Sequence, residues 1–296
     1  MMMVMSETAE YRSAYRLERP EARVGSVIVA SPHSGRHYPW GFMRRTMLDE
    51  RAIRSSEDAF VDMLVAGAPA LGAPLLAAEY PRAFLDLNRA PDELDPAVID
   101  GVARSAINPR ISSGLGVIPR VVAGGRVIYR GKLSRAEAEE RVTRIWHPYH
   151  ACLESLVQEA LTGTGEAVLL DFHSMPHEAL DAVARKPGQP RPEVVLGDRF
   201  GASASGHVMD RLEAAFSAAG LTVSRNTPFA GAYIAQHYGR PSRGRHAVQV
   251  EIDRSLYMNE NLIRPNGNFQ NVKRLITGVL TRMIAGEADA LPMAAE

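Results

Sequence analysis

Val27-Ile28-Val29-Ala30 runs directly into Ser31-Pro32-His33-Ser34-Gly35, an apolar stretch that ends on a histidine. A short apolar run rich in β-branched residues and closed by Pro and Gly predicts a strand buried on both faces, as in a parallel sheet. The same arrangement comes again about half the chain later, where Ala167-Val168-Leu169-Leu170 leads into Asp171-Phe172-His173-Ser174-Met175-Pro176. Open α/β sheets place their ligands at the carboxyl ends of parallel strands, and neutral imidazole is a common zinc ligand. Two strand-end histidines therefore point to a metal, and hydrolysis is the first reaction class to consider.

Outward from these two strands the pattern alternates. Phe60, Val61, Leu64, Val65 and Ala68 have the three-and-four spacing of an amphipathic helix, which predicts a helix over 57–71 with Gly72 as its C-cap. Strands are predicted at 74–78 and 83–87, ahead of the Pro91-Asp92-Glu93 turn. Residues 90–131 are rich in Gly, Pro and Arg and read as a long excursion with a hairpin across Gly124-Gly125. Ser134, with Glu137 three residues on, opens a helix predicted to reach about residue 161 and to kink near Pro148. After a Pro-Gly break at 187–192 come a strand at 194–196, a helix over 205–219 stopped by Gly220, and a strand at 222–224. Residues 229–239 read as a loop with aromatic anchors, followed by a strand over 246–252 and a closing helix over 271–285. Strands alternating with helices predict a three-layer αβα fold with a mainly parallel sheet. One hydrolase domain is expected over 24–296, behind a polar, Met-rich N-terminal extension over 1–23 that carries no chemistry.

Composition narrows the partners. The 296 residues hold 34 Lys plus Arg against 34 Asp plus Glu, so no charge excess points to nucleic acid or an anionic membrane. The expected partner is a small molecule. Cys152, the single cysteine, excludes an intramolecular disulfide and a multi-cysteine zinc site, and fits a reducing cytoplasm. The first ten residues include Glu7 and Glu10 and no signal-type apolar core, and no window approaches the ~18 apolar residues of a membrane span. A soluble, cytoplasmic protein is expected.

Four groups of residues can carry chemistry. A catalytic zinc keeps three protein ligands and an open position, and His33 and His173 supply two of the three. Glu57-Asp58 offers the third, although acidic residues there would also complement a helix dipole. Asp171, two residues before His173, shares its strand face and could accept the second N–H of a histidine. In His246-Ala247-Val248-Gln249-Val250-Glu251-Ile252-Asp253, alternation puts Gln249, Glu251 and Asp253 on one face. Carboxylates there mean either a functional central strand, with Glu251 as general base, or an edge strand with a wet face. Arg82 and Asp86-Leu87-Asn88-Arg89 suit an anionic substrate, or else form an Asp86–Arg89 surface pair. The excursion adds Arg110, Arg120, Arg126 and Arg130, whereas His37, His177 and His207 show no convergent partners.

Taken together, Ser31-Pro32-His33-Ser34-Gly35, Glu57-Asp58 with Val61-Asp62, Arg82 through Asp86-Leu87-Asn88-Arg89, Asp171-Phe172-His173-Ser174, Asn226-Thr227-Pro228-Phe229 and Gln249-Val250-Glu251-Ile252-Asp253 with Leu256-Tyr257-Met258 resemble the N-formylglutamate amidohydrolase family. The motifs follow the family's order from about residue 25 to 260. The resemblance implies a phosphorylase/hydrolase-like fold related to the zinc carboxypeptidases, and a zinc hydrolase that removes a formyl or similar group from an acidic amino acid. It also implies one zinc ion held by His33, His173 and an acidic ligand, Asp58 or the adjacent Glu57. By the same resemblance Glu251 is the catalytic glutamate and Asn88-Arg89 the pair that holds a substrate α-carboxylate. Arg82 is expected at the oxyanion, and Arg120 and Arg130 are the expected cations for a second carboxylate.

Overall fold

A computed structural model describes residues 12–103, 108–181 and 191–288. Contact density divides the chain into two units, with boundaries after Arg16, Pro32, Glu57, Ala77 and Ala151.

The first unit to consider, built on 17–32, 58–77 and the chain from Cys152 onward, carries the sheet. Seven strands form it: β1 (Tyr15–Glu18), β2 (Val27–Ser31), β3 (Leu75–Ala78), β4 (Ala167–Met175), β5 (Val194–Gly197), β6 (Val223–Arg225) and β7 (Arg245–Asp253), in the spatial order β1-β3-β2-β4-β7-β5-β6. β2 is parallel to β3 and β4, and β4 is parallel to β7. β5 pairs antiparallel with β7 and parallel with β6, so the sheet is mixed. The chain leaves β2 for β3 on one side and returns as β4 on the other, which makes the carboxyl ends of β2 and β4 a topological switch point. Helices on both faces complete a three-layer α/β architecture.

One face of the sheet is apolar over its centre. Val27, Val29, Leu75, Val168, Leu170, Phe172, Val194, Leu196, Val248, Val250 and Ile252 pack on it with the helices Gly206–Ala218 and Phe269–Ala288. Burying one Val, Leu, Ile or Phe side chain is worth roughly 1.5–3 kcal/mol, so this layer holds the unit together. The alternate residues of β4 and β7 point the other way and include Asp171, His173, Gln249 and Glu251. β7 lies between β4 and β5 and is buried almost throughout, so these carboxylates sit on a central strand and not on a wet edge.

Several expectations hold. Gly72 takes φ 100° after the 3₁₀ turn Pro69–Leu71, Gly220 takes φ 83° behind the helix that ends at Ala218, and Val121–Val122 pairs antiparallel with Arg126–Val127 across Gly124-Gly125. Ser134 caps its helix by accepting from the Glu137 N–H at 3.1 Å.

Other expectations are corrected. The segment expected as an inert extension contains β1, which belongs to the sheet. The helix expected over 57–71 is broken: Phe60 adopts φ 68°, and helix remains only at Val61–Leu64, ahead of the 3₁₀ turn. The break frees Asp58 from the helical register while Val61 and Leu64 stay in the core. Residues 83–87 are buried but form no strand, because Phe84 and Leu85 both donate to the Pro81 carbonyl in a local turn. The long helix consists of Arg135–Arg141, a π-helical turn Val142–Trp146 and His147–Thr164. The wide turn lies directly before Pro148, whose ring and missing N–H disturb the turn behind it. The loop expected over 229–239 contains a helix, Tyr233–Tyr238, packed on β7 and β4. Part of the break expected over 187–192 falls outside the described residues.

The other unit, which includes 33–57 and 78–151, is built from short elements around buried aromatics. Arg141 is almost fully buried there, donating to the Phe84 carbonyl at 3.0 Å and the Tyr129 hydroxyl at 2.7 Å, with its guanidinium 3.9 Å from the Phe84 ring centroid.

Candidate metal centre and active site

On the sheet unit, the polar face is organised by strand register. His173 on β4 stands opposite Glu251 on β7, and Asp171 opposite Gln249. Both nitrogens of His173 face carboxylates, Nε2 at 2.9 Å from Asp171 Oδ2 and Nδ1 at 3.0 Å from Asp58 Oδ2. Burial alone would push this imidazole down. The charge of Asp171 and the hydrogen bonds to Asp171 and Asp58 outweigh it and raise His173 well above the ordinary histidine value. Arg254, also buried, donates from Nη2 to Asp58 Oδ1 at 2.9 Å and from Nε to the Ser174 hydroxyl at 3.1 Å. Gln249 donates to Glu251 Oε1 at 2.7 Å and accepts from the Ala232 N–H at 2.9 Å, which fixes the glutamate from below and ties it to the entry of the helix Tyr233–Tyr238.

In the other unit Asp86 is the organising group. It accepts from His33 Nε2 at 2.7 Å, from Arg82 Nη2 at 2.8 Å and from the Asn88 N–H at 2.8 Å. Burial alone would raise its carboxyl. The positive charge of Arg82, with His33 and Arg89 behind it, holds it well below the usual carboxylate range. Asp86 is therefore no surface partner of Arg89, which instead donates to the Leu115 carbonyl at 2.9 Å and the Asn88 carbonyl at 2.8 Å. Gly35 explains the tightness of the loop that carries His33. A Cβ there would lie 2.1 Å from the Tyr80 carbonyl oxygen, so only glycine lets the backbone pass.

The remaining expected residues are placed as follows. Glu57 accepts from the Tyr38 hydroxyl at 2.6 Å and from Arg54 at 2.9 Å. Arg120 is tied to Asp95 at 3.0 Å and to the Ser112 carbonyl at 3.3 Å. Arg130 is exposed. His177 does have a partner, contrary to expectation: its Nδ1 is 2.7 Å from Asp253 Oδ2 and 3.1 Å from the Ser255 hydroxyl.

His33, Asp58 and His173 each present one ligand atom, and these atoms lie within 4.8 Å of one another. Glu57 is not part of this group. Two imidazole nitrogens and a carboxylate oxygen, all buried, make a donor set that suits zinc. Each imidazole also has a nitrogen on a carboxylate, Asp86 for His33 and Asp171 for His173, the arrangement that orients metal-binding histidines. The residues present therefore fit a bound metal.

The profile of the N-formylglutamate amidohydrolase family matches residues 25–258. The chain belongs to that family. An N-formylglutamate deformylase of Pseudomonas aeruginosa is 30% identical over 239 residues, covering 79% of this chain and 82% of the relative. One from Pseudomonas putida is 29% identical over 237 residues, with the same coverage of both chains. The crystal structure of an N-formylglutamate amidohydrolase from Ralstonia eutropha JMP134 superposes with a TM-score of 0.87 at 33% identity, over 95% of this chain and 100% of that one. The Atu2144 product of Agrobacterium tumefaciens shares the fold at 18% identity, with a TM-score of 0.64 over 95% of this chain and 98% of that one. By its family this amidohydrolase is an enzyme that cleaves amide bonds. Among the described residues no helix is long and apolar enough to cross a membrane.

Two residues escaped the sequence reading. Arg254 follows β7 directly and could have been suspected from its place beside Asp253, since a buried cluster of carboxylates requires a cation. Gln249 was visible on the face of Glu251, but nothing in the sequence announced that its amide clamps the glutamate.

Proposed function

We propose that this amidohydrolase cleaves N-formyl-L-glutamate to formate and L-glutamate with the help of one zinc ion. The observation that carries the reading is the buried group His33, Asp58 and His173, each histidine backed by its own carboxylate. The names of the relatives support the substrate. His33, Asp58 and His173 would hold the metal, with Asp58 as the acidic ligand. When bound, zinc supplies Lewis acidity and lowers the pKa of water toward ~7.

The chain's own residues do the rest. Glu251, oriented by Gln249, takes the proton of the attacking water and returns it to the departing glutamate nitrogen. Arg82, steadied by Asp86, stabilises the developing oxyanion. Asn88 and Arg89 hold the α-carboxylate of the substrate. The Nε and Nη1 of Arg89 are engaged by carbonyls, and its Nη2 makes no hydrogen bond among the described residues, which leaves that side of the fork for a carboxylate.

Formate release from N-formyl-L-glutamate, measured on chelator-treated protein before and after zinc is restored, tests the reading with Glu251→Gln as control. Expected is zinc-dependent release that falls by ~10²–10⁴ in Glu251→Gln while zinc is retained. Release that survives Glu251→Gln would remove the glutamate from its role. Tightly bound zinc without formate release would send the search to other acylamino acids.

A further inference from the structure

A substrate with two carboxylates requires a second anchor beyond Arg89, and the excursion contains a cation placed to provide it. Arg110 lies in the short helix Pro109–Ser112, is half-buried, and makes no side-chain hydrogen bond or ion pair among the described residues. Its backbone is tied to Arg89 through one residue. The Leu115 N–H donates to the Arg110 carbonyl at 2.8 Å, and the Leu115 carbonyl accepts from Arg89 Nε at 2.9 Å. The Asn108 side chain fixes the same turn by accepting from the Arg110 N–H at 2.9 Å.

Charge balance gives this placement a purpose. Beyond burial, which pushes the Arg89 guanidinium down, the groups that act most on it are Asp86, Arg82, Arg110 and Glu93. Three guanidiniums thus share the neighbourhood with two carboxylates. Both carboxylates are engaged: Asp86 by His33, Arg82 and the Asn88 N–H, and Glu93 by the Ala90 N–H at 3.1 Å. Cations gathered in a partly buried place repel one another until an anion joins them, and the guanidinium fork is shaped for carboxylate.

We infer that Arg110 is the anchor for the second carboxylate of the substrate, acting beside Arg89 and setting the preference for acidic over neutral formyl amino acids. This inference rests on the proposed reaction and names a specificity residue within it. It also moves the second contact away from Arg120, which Asp95 occupies, and from Arg130, which is exposed.

The test compares Arg110→Gln and Arg110→Lys with the unaltered enzyme on N-formyl-L-glutamate and N-formyl-L-methionine. Loss of a charge-assisted contact predicts a rise of about ten-fold or more in KM for formylglutamate in Arg110→Gln. The kcat and the KM for formylmethionine stay near their original values, and Arg110→Lys restores part of the loss. An equal change for both substrates, or none, overturns the inference. If the unaltered enzyme releases no formate from formylglutamate, the proposed reaction fails by itself. The anchor is then read from calorimetric binding of glutarate against butyrate, where Arg110→Gln must weaken glutarate selectively, and no selective loss overturns it.

Discussion

Replacing Asp171 by Asn isolates the support of the proposed metal centre from its proposed ligands. Asp171 is completely buried, its Oδ2 lies 2.9 Å from His173 Nε2, and its Oδ1 has no hydrogen-bond partner among the described residues. Asn fills the same volume, so packing on β4 is unchanged. An amide oxygen turned to His173 would place the NH₂ where Oδ1 has no partner, and a stranded buried donor costs about 1–3 kcal/mol. Turning the NH₂ to His173 instead would set a donor against a donor. Either way the imidazole loses its negative partner, and loss of such support costs metal affinity ~10–100-fold. That corresponds to about 1.4–2.8 kcal/mol by the tenfold-per-1.4 kcal/mol relation. Competition between the protein and a chromophoric chelator for zinc measures the difference, with circular dichroism showing that the variant is folded. A folded Asp171→Asn protein that binds zinc within about twofold of the original, well under the expected range, would refute the reasoning that Asp171 orients a metal-binding histidine.

Other outcomes follow from the same geometry. In the metal-free protein the folded pKa of His173 is raised, so its contribution to stability is complete below about 6.5 and is lost as pH rises through the folded value. Zinc needs the neutral imidazole, so affinity should increase with pH above 6.5, up to tenfold per pH unit while one proton is displaced. A flat profile between pH 6 and 8, scanned by the same chelator competition, would contradict it. Gly35→Ala should unsettle the His33 loop, since the new Cβ would meet the Tyr80 carbonyl at 2.1 Å. Expected are a lower melting temperature and weakened zinc binding together; an unchanged crystal structure and full activity would sink the close-approach argument.

The sequence made the sheet legible where local pattern and tertiary need agree. β2, β4 and β7 are apolar or alternating runs, and the residues that end or punctuate them are the ones that reach the site. The capped start at Ser134 and the stops at Gly72 and Gly220 were equally readable, because capping and left-handed glycine are local effects. Phe60 shows the opposite case. Its neighbours keep perfect helical spacing, yet the chain turns left-handed there, because Asp58 must meet His173 and Arg254 from β4 and the end of β7. Residues 83–87 misled in the same way. Their apolar content looks like a strand, while Asp86 turns to meet His33, 53 residues earlier in the chain, together with the nearby Arg82 and Asn88 N–H, and the backbone follows. Among the proposed site residues, His33 could be named from its place just after a strand, and His173 and Glu251 from their positions within strands. Arg110 and Arg120 could not be told apart, since the distinction lies in Asp95, twenty-five residues before Arg120 in the chain and beside it in space.

The two nine-residue strands β4 and β7 also constrain how this family can change. Core and chemistry occupy alternate positions of the same strands, with Leu170 and Phe172 facing the helices and Asp171 and His173 facing away, and likewise Val250 and Ile252 against Gln249 and Glu251. Losing or gaining a single residue within either strand would exchange the two sets at a stroke, sending carboxylates into the apolar layer and valines to the proposed metal site. No single substitution can repair that exchange. Insertions and deletions should therefore be confined to the excursion and the connecting turns, where length can drift while the two strands keep their count.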